Sequence, residues 1–275
     1  MDQASAISSC QAMPVCRIRH QQSTSFNTDQ LVEEVPVAIV YNGISHAVLM
    51  SLPSDLEDLA IGFSLTEGII DRFEDIRGID IVPACSGVEV AVEISSRCFQ
   101  RLKSRRRNLA GTTGCGICGT EQLSHVSREL PVLEKHLTLD ALKIDNAFDC
   151  LKQQQRLNQE TGATHAAGWI TDQAELVAVR EDVGRHIALD KLIGYLARNH
   201  IRGGAVLVTS RASFEMVQKA IVAGVEALFA ISAVTKKAVV LADQCNLTLA
   251  GFCRPGKLSI YSHCERLLQA AEEVA

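Results

Sequence analysis

The sequence predicts an α/β protein with an α+β N-terminal half and a C-terminal half layered around a partly parallel sheet. Three observations carry this expectation. Beyond residue 140, short apolar runs such as 204–210 (GAVLVTS) alternate with helix-period segments, the pattern of a sheet covered by helices. Near the start, two β-rich runs flank Asn42-Gly43, the strongest short-range hairpin signal. Residues 88–94 (VEVAVEI) alternate apolar and polar, as a half-buried strand does. The chain has 275 residues, 47% of them hydrophobic, with mean hydropathy +0.11. That suffices for one large domain or two ordinary ones.

Taken in order, residues 1–32 are rich in Ser, Gln and Thr and lack periodicity, which predicts a mobile tail with at most a short strand. The hairpin over 33–51 follows. Residues 54–68 read as a helix capped by Ser54, with Glu57 completing a capping box and Gly68 beyond the end. Strands over 80–83 and 88–94 and a helix over 95–108 lead into a glycine-rich loop over 111–120. A boundary near 128–138 separates a domain over 33–130 from one over 131–275. In the second, residues 141–160 read as a polar-faced helix or helices, and 164–170 and 175–180 as strands about a Thr-Asp-Gln turn. A helix over 184–199 carries apolar positions at Ile187, Leu189, Leu192, Ile193 and Leu196. The buried strand 204–210 follows, then a helix over 214–227, a strand over 228–232, a helix over 235–245 and a strand over 247–252.

Composition narrows the function classes. Net charge is −5 and pI about 5.9, against a general nucleic-acid binder. Residues 103–108 (KSRRRN) are one basic cluster on an acidic protein, either a solvated helix face or a dock for an acidic partner. The ten cysteines are scattered rather than dense, and the N-terminus has no basic start leading into an apolar core. No apolar run reaches the ~18–20 residues of a membrane span; 222–234 comes nearest and Glu226 interrupts it. The expectation is a cytoplasmic protein with reduced thiols and no membrane partner.

One cysteine pair stands apart. Cys115 and Cys118 lie in AGTTGCGICGTEQL, a stretch with little to pack. Four readings compete. The pair is half of a zinc site, though no second close pair supplies the other ligands. It is a thioredoxin-like dithiol, though the strand that should precede it is missing. It is chemically idle, which suits Cys85, Cys98 and Cys150 better than a loop with Gly114, Gly116 and Gly119. Or it is a nucleophile on an arm, able to take sulfur from one partner and hand it to another, with Arg105, Arg106 and Arg107 near enough to favour the thiolate.

That stretch, together with EEVPVAIVYNGISH (33–46), GFSLTEGII (62–70), THAA (164–167), EDVGRHIALDK (181–191), SRASFEMVQK (210–219) and NLTLAGFCRPGK (246–257), strongly resembles the FdhD family from about residue 33 to 263. The resemblance implies a cytoplasmic sulfur carrier needed for active formate dehydrogenase. It implies a cysteine desulfurase as sulfur donor and a persulfide on Cys115, with Cys118 as the second cysteine of the motif. The acceptor it implies is a molybdenum bis(pyranopterin guanine dinucleotide) cofactor, bound as substrate through Phe252, Cys253, Arg254, Pro255, Gly256 and Lys257. It also implies a cytidine-deaminase-like C-terminal domain, a guanine nucleotide moiety as ligand, and a homodimer. The alternative is a non-catalytic chaperone that binds the cofactor or apo-formate dehydrogenase; a small zinc protein is a third reading.

The residues themselves add candidates. Arg254 and Lys257, at a turn after a strand, suit phosphate oxygens; from the residues alone a plain surface turn with two cations is the better account, and the family resemblance reverses that preference. The segment 181–191 sets Glu181, Asp182, Arg185 and His186 around Gly184 before a helix, either an anion site or a cap. Arg211 is a further phosphate candidate, and Ser213 a helix cap. His165 invites comparison with zinc deaminases, but Ala167 stands where their catalytic glutamate would be, so no catalytic zinc and no structural metal are expected.

Overall fold

The computed structural model describes residues 8–18, 25–112 and 130–268, and shows a mixed α/β fold with several sheets. Its first described element is a ribbon of β1 (Cys10–Arg17) and β2 (Ser25–Val32), paired antiparallel. This corrects the tail expected over residues 1–32. The ribbon has no buried face; almost every residue in it is exposed or half-exposed. Strands with two wet sides leave no alternation to read.

β3 (Val35–Tyr41) and β4 (Ile44–Ser51) form the expected hairpin. Asn42 and Gly43 take φ of 46° and 80°, the two positive values of a type I′ turn. Asn42 also bridges to the neighbouring strand, accepting from the Ile94 amide and donating to the Ile94 carbonyl. With β5 (Ile76–Ala84) and β6 (Gly87–Ile94) the hairpin makes a four-stranded sheet of order β4-β3-β6-β5. Helices α1 (Leu56–Thr66) and α2 (Ser96–Thr112) complete this half. Its core joins Val37, Ile39, Val90 and Val92 of the sheet to Leu59 of α1 and Leu102 of α2.

The capping box expected at Ser54 does not form. The residue before α1 is Asp55, in the left-handed region and without a side-chain cap bond. Ion pairs draw the acids elsewhere: Asp55 stands 3.6 Å from Arg180, and Glu57 pairs with Arg198 at 2.8 Å.

The C-terminal half is built on a six-stranded sheet of order β13-β12-β11-β10-β8-β9. The strands are β8 (His165–Thr171), β9 (Leu176–Asp182), β10 (Gly204–Val208), β11 (Ala227–Ala230), β12 (Thr248–Arg254) and β13 (Lys257–Ser262). β10, β11 and β12 run parallel, while β8, β9 and β13 pair antiparallel with their neighbours. Every residue of β10 is buried, and its side chains alternate between two cores. Val206 and Val208 pack under α5 (Arg185–Arg198), α6 (Phe214–Val222) and α7 (Lys236–Gln244). Ala205 and Leu207 pack on the opposite side under α3 (Ile144–Gln154). The helix or helices expected over 141–160 are two, α3 and the short α4 (Arg156–Thr161). The helix expected over 214–227 ends early because Gly224, at φ 74°, turns the chain, and Ala227 already belongs to β11. A two-residue parallel pair, β7 (Leu139–Asp140) with β14 (Leu267–Leu268), closes the chain, held by a fully buried Arg266 bonded to Glu226.

The halves meet where α1 crosses α5. A Cβ on Gly62 would lie 1.8 Å from the Asp190 carbonyl oxygen, and one on Gly194 would lie 1.9 Å from that of Asp58. The two backbones therefore touch, and only glycine fits either position. Buried charges surround the crossing. Asp182, wholly buried, pairs with Lys191 at 2.7 Å and accepts from Ser51 Oγ and the Leu52 amide. Asp58 pairs with Arg180 at 2.7 Å and Arg198 at 2.9 Å. Lys219 of α6 donates to Asp190 and to Thr66 Oγ1, both at 2.9 Å, and Thr66 donates onward to Asp190.

Gly194→Ala is expected to lower unfolding free energy by at least ~3 kcal/mol, since backbone rather than a side-chain tip must move. Chemical denaturation checks it. Stability within ~1 kcal/mol of wild type would show that the helices are not in backbone contact.

Candidate functional site

The carboxyl ends of β10, β11 and β12 emerge on one side of the large sheet, beside the start of antiparallel β8. Such an edge is the usual place for a ligand on an open α/β sheet. A cavity of about 420 Å³ lies there, within the range of small-molecule sites. Three groups of residues line it: Cys253, Arg254 and Pro255 of the β12–β13 turn; Thr164, His165, Thr209 and Ile231 at or beside strand ends; and a set from α3 with Gln155 and Asn158 after it.

α3 has two faces for a simple reason. Ile144, Ala147 and Leu151, at helical spacing, are buried against the sheet. Asp145, Phe148, Asp149 and Lys152 share the next face and look into the cavity. Gln155, at the break between α3 and α4, is only 4% exposed, and its amide Nε2 has no hydrogen-bond partner among the described residues.

The turn owes its shape to a bulge. The register of β12 against β13 slips between Gly251 and Arg254, and Phe252 takes φ 51° while its amide donates to the Ser232 carbonyl. The ring of Phe252 is exposed and outside the cavity lining. Cys253 turns inward and is 2% exposed. Burial pushes its thiol up to about 12, so it stays protonated and non-nucleophilic at neutral pH. Arg254 donates to the carbonyls of Ile231 and Cys253. Gly256, at φ 73°, donates its amide to Asp145 Oδ2 at 2.6 Å, which docks the turn on α3. Lys257 opens β13 opposite Arg254 and is exposed.

Of the six residues expected to hold a ligand here, the cavity is lined by Cys253, Arg254 and Pro255; Gly256 supports the turn, and Phe252 and Lys257 lie outside. Cys115 and Cys118, with the rest of 113–129, fall outside the described residues. Of the basic cluster, Lys103 lies over the Phe99 ring and Arg105 donates to the Gly68 carbonyl. The cavity residues of α3 and Gln155 were not singled out from sequence. Their signal is faint: polar positions at i, i+4 and i+7, with Phe148 among them, beside an apolar stripe.

Glu181 and Asp182 have structural partners. Glu181 accepts from the amides of Leu157 and Asn158 and from Thr164 Oγ1, fixing the start of α4. Asp182 accepts from the Gly184 amide besides holding Lys191. Ser213 stands at the cap position of α6, but its hydroxyl makes no cap bond. Arg211 is exposed. His165 lines the cavity; burial, then the nearby Arg185 cation, lower its pKa from the ordinary 6.5. Asp71, Asp75 and Cys98 could by spacing hold a metal, but arginines already occupy the carboxylates: Arg97 and Arg101 pair with Asp71, and Arg97 with Asp75. A second cavity, about 500 Å³, opens at the junction of the halves, where its Arg180 is paired with Asp58 and its Glu181 is bonded as above.

Comparison with known proteins adds two findings. The model of the FdhD/NarQ family matches residues 32–268. The fold is similar to the crystal structure of a protein from Desulfotalea psychrophila, assigned as a formate dehydrogenase accessory protein. The TM-score is 0.75 at 23% identity, covering 95% of this chain and 100% of that one. Among the described residues, no helix is long and apolar enough to cross a membrane.

Two outcomes follow from the burial pattern. Alkylation of the native protein at pH 8, mapped by peptide mass, is expected to modify exposed Cys16, Cys85, Cys150 and Cys264 and to spare Cys253; equal labelling of Cys253 would mean an open cavity floor. The His165 imidazole is expected to titrate below 6.5 by NMR. Because its folded pKa is the lower one, its contribution to stability is complete above pH 6.5 and is lost as pH falls below that value. His165→Gln should flatten that acid-side slope, and an unchanged slope would remove His165 as its source.

Proposed function

The chain belongs to the FdhD/NarQ family, and from that premise we propose that it is a sulfur carrier in the maturation of formate dehydrogenase. It takes a persulfide sulfur from a cysteine desulfurase on Cys115 and delivers it, in the cytoplasm, to a molybdenum bis(pyranopterin guanine dinucleotide) cofactor bound as substrate. The observation that carries the substrate half is the cavity at the strand carboxyl ends, closed by Cys253, Arg254 and Pro255. Its chemistry fits a nucleotide: cations at the rim for phosphate oxygens, and a mixed polar and aromatic wall for a base. The layered C-terminal half is read as a cytidine-deaminase-like scaffold without deaminase chemistry, because buried Ala167 holds the place of the proton-shuttling glutamate.

The cavity's own thiol is the wrong one for the transfer. Cys253 is protonated and enclosed, so the nucleophile must come from elsewhere in the chain. In the proposed first step the Cys115 thiolate attacks the outer sulfur of the desulfurase persulfide. A new S–S bond forms on Cys115, the old one breaks, and the desulfurase thiolate leaves. Release needs two electrons at the carried sulfur. Attack of the Cys118 thiolate on Cys115 Sγ supplies them, leaving a Cys115–Cys118 disulfide and freeing the outer sulfur as hydrosulfide for the metal. Holding the cofactor on the same protein shortens the path and limits loss to other acceptors.

Intact mass after incubation with cysteine and an active desulfurase tests the reading. A gain of one sulfur atom, reversed by reductant and absent in Cys115→Ser, is expected. No gain on reduced wild type would favour a non-catalytic cofactor chaperone, and a gain that persists in Cys115→Ser would move the persulfide elsewhere.

A further inference from the structure

A third cavity lies between the turn at residues 71–74 of the N-terminal half and the end of α5 in the C-terminal half. We propose that it docks a protein partner, through an acidic segment that inserts one aromatic or long aliphatic side chain. The inference goes beyond the sulfur-carrier reading and does not rest on it.

Size decides the kind of occupant. The cavity holds about 170 Å³. Small-molecule sites run upward from ~300 Å³, whereas a cavity of roughly 150 Å³ takes a single benzene ring. One side chain fits and a cofactor does not. The floor is apolar and buried, made by Trp169 of β8, Ile193 and Leu196 of α5, and Val225 after α6. The mouth is exposed and charged, with Arg72, Glu74 and Arg202. An apolar pocket ringed by polar groups is the form that receives an anchor side chain at a protein interface. Phe73 and His200 also line it and meet edge to face, with ring centroids 6.5 Å apart, which adds an aromatic wall for that anchor.

Charge decides the partner. The side chains of Arg72 and Arg202 form no ion pair among the described residues. Of the acids in the lining, Asp71 is already answered by Arg97 and Arg101, which leaves Glu74 against two cations. The basic helix α2 is stapled to the same turn: Arg101 donates to the Ile69 carbonyl and Arg105 to the Gly68 carbonyl. Those bonds fix the segment that presents Arg72 at the mouth. On a chain of net charge −5, a cation-rimmed apolar pocket is a local reversal of sign, complementary to carboxylates beside an apolar anchor.

The test is fluorescence anisotropy of labelled hexapeptides titrated with the full-length protein. The probe places acidic residues around one phenylalanine; two controls replace the phenylalanine with alanine, or the acids with lysine. Wild type is expected to bind the probe with a Kd below about 1 mM, weakening as salt is raised. The alanine control is expected to bind at least about tenfold more weakly, and the lysine control not to saturate. Arg72→Glu combined with Arg202→Glu, both at exposed positions that leave the fold intact, is expected to weaken the probe at least about tenfold. Ala197→Phe, which fills the cavity from α5, is expected to abolish binding, with circular dichroism as the check on its fold. No saturable binding by wild type, equal binding of the acidic and basic peptides, or a loss caused by Arg254→Ala but not by the paired arginine reversal would overturn the proposal. Dimerisation of wild type that Ala197→Phe abolishes, without peptide binding, would overturn it in favour of a second copy of the chain.

Discussion

The contact between Gly62 and Gly194 sets the geometry of the whole molecule. Two helices from different halves of the chain meet backbone to backbone, closer than any side chain permits. That approach sets Asp58 of one half against Arg180 and Arg198 of the other, beside two buried pairs internal to the C-terminal half. Asp182 with Lys191, Asp58 with Arg180 and Arg198, and Asp190 with Lys219 all lie around the crossing. Buried pairs of this kind add little net stability compared with apolar packing, but losing one partner leaves an uncompensated charge worth ~3–5 kcal/mol. The Asp58 pairs, with Lys219 bonded across to Thr66 and Glu67, therefore act as a key: one arrangement of the halves satisfies them all at once.

The cavity follows from that fixed frame. With α5 locked against α1 on one side of the large sheet, α3 covers the other, and the parallel strands must discharge their carboxyl ends between α3 and the β12–β13 turn. The bulge at Phe252 turns Cys253 inward and sets Arg254 at the rim. A straight hairpin would have kept strict alternation and placed these side chains on other faces.

Much of this was legible in the chain. The Asn42-Gly43 turn, the alternation in 88–94 and the all-apolar run of β10 each have a short-range cause, so they could be read directly. The ribbon of β1 and β2 was not, because a strand with two wet faces has no period. The box at Ser54 and Glu57 failed because long-range ion pairs outbid a local cap. At the site, the turn 252–257 could be found as a motif, whereas Gln155 could not: its place in the cavity wall comes from the break between α3 and α4, which only the folded chain displays. Gly62 and Gly194 look in sequence like two ordinary helical glycines, 132 positions apart, with nothing local to mark their meeting.

The bond from Gly256 to Asp145 has a consequence for exchange. An anion approaching the tip of the turn finds the amide there already bonded to a carboxylate of the same chain. It must compete with an acceptor tethered at high effective concentration, so its net gain is only the difference between the two bonds. The tip thus discriminates against weak anions and lets go of strong ones more readily than a bare amide would. In the proposed carrier role, an internal rival at the rim of the cavity acts on a ligand's residence time alongside the contacts inside.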